Sequence, residues 1–216
     1  MKPIETMRAF IEVRLSEKTH RRIIEGLAEL HPRFEREGWK IRWVHPDNVH
    51  LTMRFLGDIQ TTLVATLRDG LAPLGSIPSI RVVVKGMGGF PSLDSPRVLW
   101  VGLEDPEGKL AALAGRIDRE LDGFGIRPDG KPLRPHVTIG RVVQKGGGSA
   151  AEIVGPLAGA LFGDEEVREF VFMKSVLARE KAIHTPQWSV LLRHRPQPQE
   201  PEPESEPELE PEPKVL

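Results

Sequence analysis

A chain of 216 residues with 39% hydrophobic content can bury the core of one substantial domain or two small ones. It contains no cysteine, which excludes a disulfide framework, thiolate chemistry and Cys-ligated zinc, and no run of eighteen apolar residues that would read as a membrane span. The formal net charge of −1 is unevenly divided: from Pro196 onward there are seven Glu and one Lys, so this tail carries −6 and residues 1–195 carry +5. The N-terminal MKPIETMRAF lacks the apolar stretch of a signal peptide, and the expected location is the cytoplasm.

In chain order, RAFIEVRL (8–15) alternates apolar and polar residues as a strand does. Ser16 then caps an amphipathic helix with apolar residues at 23, 24, 27 and 30. KIRWVHPDNVHLTMRFLGDI reads as two extended runs around a Pro-Asp-Asn turn. Helical spacing returns over 59–74, followed by a strand in SIRVVVKGMGGF, whose GMGGF end is a turn candidate, and a Pro/Ser/Asp loop. RVLWVGLE is the next strand, PEGKLAALAGRIDRELDGFG a helix and HVTIGRV another strand. Gly146 to Gly148 read as a flexible joint before a short helix near 150–161. VREFVFMKSVLARE and QWSVLLRHR close the domain as strands. Beyond them the alternating Glu and Pro of 196–216 cannot build a core, because carboxylates repel and Pro lacks a donor; an extended disordered tail is expected. It is either a solubilising appendage or an acidic arm that competes with a polyanionic ligand for the basic domain.

The order repeats. A strand, a helix and a strand that begins with His-x-Thr occur twice, with 42 positions from Arg8 to His50 and 39 from Arg97 to His136. Pseudo-repeats over about 8–57 and 97–142 within a 1–195 domain predict two lobes facing each other across a cleft. The predicted class is α+β, with antiparallel-rich mixed sheets covered by outer helices.

Alternation puts His50 and Thr52 on one face of their strand and Leu51 and Met53 on the other; His136 and Thr138 likewise share a face opposite Val137 and Ile139. Two imidazoles titrating near pH 6.5 can serve as acid and base, and two hydroxyls can donate to phosphate oxygens, which suits phosphodiester chemistry without a metal. No Asp, Glu or third His stands at ligand spacing beside either motif, so no metal or other cofactor is expected. His20 and His31 read as helix-surface residues, and His45, His184 and His194 as bystanders in turns or strand ends. Trp43 and Trp100 read as core, while Arg8, Arg42, Arg54, Arg97 and Arg134 contribute to a basic balance suited to RNA.

The segments HLTMRFLG and RPHVTIGR, with RAFIEV and GGFPSLDSPRVLWVGL, resemble the two-histidine (2H) phosphoesterase superfamily, specifically the RNA 2',3'-cyclic phosphodiesterases also called 2'-5' RNA ligases. The resemblance runs from about Arg8 to Arg193. It implies a bilobal pseudo-symmetric fold, with two antiparallel-rich sheets around a central cleft, and metal-free hydrolysis of a terminal 2',3'-cyclic phosphate of RNA to a 2'-phosphate. Joining of tRNA halves through a 2'-5' linkage is implied as well. It assigns His50 as proton donor and His136 as proton acceptor, Thr52, Thr138 and Arg141 to the phosphate, and Phe55 to stacking on the terminal base. By strict alternation Phe55 and Arg141 fall on the core face, so each needs a bulge or bend to reach substrate. The implied partner is RNA with a cyclic phosphate end, including tRNA fragments, bound by a monomer without metal or membrane. Two alternatives stand beside it: another 2H activity on a small cyclic nucleotide phosphate, and a non-catalytic nucleotide- or RNA-binding module.

Overall fold

The computed structural model describes residues 5–128, 130–178 and 181–194; the acidic tail lies outside the described residues. Among the described residues nine strands and four α-helices form in the order β1 (Thr6–Val13), α1 (Glu17–Arg36), β2 (Lys40–Trp43), β3 (Leu51–Gln60), α2 (Leu63–Leu71), β4 (Ile80–Phe90), β5 (Val98–Glu104), α3 (Lys109–Gly123), β6 (His136–Gln144), α4 (Ala150–Val154), β7 (Leu161–Val167), β8 (Glu169–Leu177) and β9 (Ala182–Leu191). Their order across the sheet is β7-β4-β5-β6-β3-β1-β8-β9, with β2 also on β6, and every strand pair is antiparallel. The order is symmetric about the β6–β3 junction. The two halves touch there through one register pair, Leu51 opposite Val137, and both residues are fully buried. Burial of two such side chains contributes about 1.5–3 kcal/mol each, and β2 of the first half adds four register pairs on β6 beside it.

The helices cross over. α1 leaves the first half and packs on β7 and α4 of the second. Ser16 caps it by accepting from the Thr19 N–H, and the Ser16 hydroxyl and N–H both donate to the buried Glu165 carboxylate on β7 (2.6 and 3.0 Å). α3 leaves the second half and packs on β3 and α2 of the first. Its Asp118 receives the Arg54 guanidinium at 2.9 Å, and Arg54 also donates to the Arg127 carbonyl. Arg54 is therefore buried in the structure and does not join an RNA-facing surface, contrary to its reading as part of the basic balance. Arg54→Ala leaves Asp118 without this cation; because that carboxylate is about a quarter exposed, the expected loss is about 2–3 kcal/mol, read from the shift in urea midpoint at constant m-value.

The structure departs from the sequence reading at five places. β3 runs on to Gln60, so the second helix begins at Leu63 rather than 59. β7 was not anticipated, because LFGDEEV carries three consecutive acids; it lies at a sheet edge, where charge blocks further pairing. β9 begins five residues before Gln187 and tolerates Pro186 because it forms the other edge. GMGGF is the end of β4 rather than a turn, with Gly86 at φ 73° where the ladder with β5 shifts register. Gly146 to Gly148 are also not a loose joint: a Cβ on Gly146 would lie 2.0 Å from the Glu37 carbonyl oxygen, the Gly147 N–H donates to that same oxygen, and the Trp39 indole donates to the Gly148 carbonyl.

Candidate active site

The Leu51–Val137 pair fixes the site. Continuing its antiparallel register by one residue sets His50 opposite Thr138 and Thr52 opposite His136, all four on the face away from the buried pair. The two motifs thus meet as a pseudo-symmetric quartet. His50 lies just before β3, with one imidazole nitrogen, Nε2, 3.1 Å from the Thr52 hydroxyl; His136 opens β6, and its Nδ1 donates to the Arg134 carbonyl at 2.7 Å. Since a carbonyl only accepts, His136 carries its proton on Nδ1 when neutral and leaves Nε2 free to take another.

Matching bulges settle the orientation of the next residues. Against β1, Glu12 faces Thr52 but Ile11 faces Arg54, so Met53 is the extra residue. Against β5, Trp100 faces Thr138 but Leu99 faces Gly140, so Ile139 is the extra residue. In each strand two successive residues, Met53 with Arg54 and Ile139 with Gly140, turn inward and the parity inverts. Phe55 and Arg141 therefore emerge on the face of the threonines, at equivalent places in the two halves. Phe55 is 61% exposed, with its ring 6.1 Å from that of Phe10. Strict alternation would have buried both. Trp100, read as core, is half-buried and shares the Thr138 face through its register pairing.

The two histidines have different surroundings. His50 stacks on Phe10 at 5.1 Å and has the His184 ring at 5.5 Å and the buried Glu12 carboxylate 3.4 Å from Nδ1. Burial drives its pKa down to about 4, with the charge of Arg14 adding to the effect and a backbone hydrogen bond with Asn48 opposing it. Burial pushes Glu12 upward, against a hydrogen bond and the charge from Arg14. At neutral pH His50 is a neutral imidazole, so its contact with Glu12 is not a complete ion pair. His136 meets the edge of Phe90 at 4.9 Å.

Glu12 and His184 are the residues missed from the sequence. Glu12 shares the parity of Phe10 on β1, opposite Ala9, Ile11 and Val13, a polar residue on an open face that could have drawn notice. His184 gave no such signal: it reaches the site only because β9 pairs with β8 and β8 with β1, and burial lowers its pKa. Its reading as a bystander is corrected, as is the absence of a Glu or third His beside the first motif; tertiary pairing supplies both. His31 is likewise not a plain surface residue, since it stacks on Trp43 at 4.1 Å and burial lowers its pKa. His20 and His45 serve the turn before β3: the His20 ring lies 2.8 Å from the Pro46 carbonyl and His45 Nδ1 accepts from the Asp47 N–H.

A cavity of about 210 Å³ opens beside His50, lined by Glu12, Arg14, His20, Asp47 and His184 among others. A larger one of about 660 Å³ lies away from both motifs, between the start of β4, α3 and Arg193.

The sequence profile described as LigT like Phosphoesterase matches the chain twice in tandem, over residues 19–100 and 101–184, with one His-x-Thr in each copy. The chain belongs to the LigT-like phosphoesterase family. Among curated members, an RNA 2',3'-cyclic phosphodiesterase of Archaeoglobus fulgidus is 34% identical over 67% of this chain and 80% of its own length. One of Aquifex aeolicus, with the same name, is 35% identical over 67% and 78%. The crystal structure of E. coli LigT complexed with 3'-AMP superposes with a TM-score of 0.71 at 26% identity, over 87% of this chain and 99% of that one. The LigT-like architecture of two repeated halves accounts for the paired motifs and the symmetric strand order. Among the described residues no helix is long and apolar enough to cross a membrane.

Proposed function

We propose that the chain hydrolyses the terminal 2',3'-cyclic phosphate of RNA to a 2'-phosphate, without a metal, using His50 and His136 as the proton-transfer pair. The observation that carries this reading is the Leu51–Val137 register, which brings two imidazoles and two hydroxyls to one face. His136 Nε2 takes a proton from water, the water oxygen attacks phosphorus, the P–O3' bond breaks, and His50 gives its proton to O3'. Thr52, Thr138 and Arg141 donate to the non-bridging oxygens where negative charge accumulates.

His50 is neutral in the free protein, so its role as donor depends on the substrate. A phosphate anion about 4 Å away favours the imidazolium by about 4 kcal/mol at an effective dielectric of 20, enough to return His50 to the neutral range. Ligation is the related reaction in which an RNA 5'-hydroxyl takes the place of water, and tRNA fragments fit that role. The names of the curated relatives support an RNA substrate.

The test is an oligoribonucleotide with a 2',3'-cyclic phosphate end, incubated with EDTA and analysed for product. A 2'-phosphate supports the reading; a 3'-phosphate, or turnover only after metal is added, overturns it. Phe55→Ala should raise KM on this substrate about 5- to 100-fold, the worth of one base–aromatic stack. Because the ring is exposed, thermal stability should stay within about 0.5 kcal/mol of wild type.

A further inference from the structure

Glu12, His50 and His184 come from three different strands or strand ends, yet one ligand atom from each lies within 4.8 Å of the other two. In a tetrahedral zinc site, bonds of about 2.0–2.1 Å place donor atoms about 3.4 Å apart. Rotations that move these atoms by about an ångström would close the set. His184 Nδ1 is buried and has no hydrogen-bond partner among the described residues, an arrangement that costs free energy unless a ligand completes it. The cavity of about 210 Å³ beside the three has room for an ion and a water, each water taking about 30 Å³. Arg14, half exposed, holds the other oxygen of Glu12 at 3.1 Å, so the oxygen nearest His50 is the one left for a metal.

We propose that Glu12, His50 and His184 form a binding site for a borderline divalent ion, Zn²⁺ in the first instance, and that its occupancy silences the enzyme by taking the lone pair of His50. Two imidazoles and one carboxylate are a ligand set that zinc accepts, with the fourth position left to water from the cavity. The site is inhibitory rather than catalytic, since an imidazole held by the metal through one nitrogen cannot become the imidazolium that serves as proton donor. The binding half stands on the geometry alone; the inhibition half rests on the role proposed for His50.

The test is titration of the metal-free full chain with Zn²⁺ in competition with a chromogenic chelator, alongside turnover of the cyclic-phosphate oligoribonucleotide. One zinc per chain is expected, with affinity reduced at least tenfold in both His184→Ala and the nearly isosteric Glu12→Gln. Zinc should stop turnover in wild type and EDTA should restore it, whereas the turnover of His184→Ala, compared with its own zinc-free rate, should resist zinc. Zinc binding that survives both substitutions overturns the site. Binding that needs His184 but leaves turnover intact overturns the inhibition. A protein inactive on the oligoribonucleotide without zinc sinks the proposed function, and the chelator titration still decides the site.

Discussion

His50→Ala and His136→Ala should each lower kcat/KM on an RNA cyclic phosphate by about 10²–10⁴, the usual worth of a positioned acid or base. The two losses should not multiply. Proton removal from water and delivery to O3' belong to one displacement, so a protein lacking one group has little left for the other to assist, and the double variant should resemble the worse single one. Circular dichroism and thermal unfolding of the variants separate lost chemistry from lost fold. This matters most at His50, whose ring clusters with those of Phe10 and His184. Retention of wild-type kcat/KM in either variant would remove that histidine from the mechanism. Thr52→Val and Thr138→Val remove one hydroxyl without changing shape, and each should cost about 10- to 100-fold through lost bonds to the charged phosphate.

The second large effect is on pH. An unfolded histidine takes its proton near pH 6.5, whereas His50 in the folded chain does so only at about 4. Above pH 6.5 both states are neutral there and the contribution of His50 to stability is constant. Between pH 6.5 and 4 the unfolded state gains a proton that the folded state refuses, and about 3 kcal/mol of stability is lost. The lowered pKa values of His31 and His184 act in the same sense, and the raised pKa of Glu12 in the opposite one. The difference between wild type and His50→Asn isolates the His50 part: urea unfolding at pH 7 and pH 4 should show the variant losing about 3 kcal/mol less. The same depression places the acid limb of kcat/KM near pH 4, and Arg14→Met, by removing a charge that lowers His50, should move it upward. An acid limb already near pH 6.5 in wild type would contradict the buried environment described for His50.

What could be read beforehand was the part of the fold written in local pattern. Helix α1 with its Ser16 cap, the alternation in β1, and the two His-x-Thr frames follow from spacing and propensity alone. Phe55 and Arg141 depend on register. Their faces are set by extra residues at Met53 and Ile139, and a bulge is visible only against a partner strand. Glu12 and His184 depend on which strands lie side by side, a choice made by the whole sheet. Edge strands β7 and β9 were obscured because their acids and Pro186, which protect an edge from pairing, also mimic loop composition.

The exchange of helices between halves has a thermodynamic meaning. Each His-x-Thr strand is held by a half whose outer layer belongs to the other half, α1 resting on β7 and α3 on β3. Neither half has a complete hydrophobic cover when taken alone. Unfolding should therefore proceed as one cooperative event rather than two, despite the duplicated sequence. A hinge opening between acid and base would have to strip both helices from their seats, so their spacing is as rigid as the core itself.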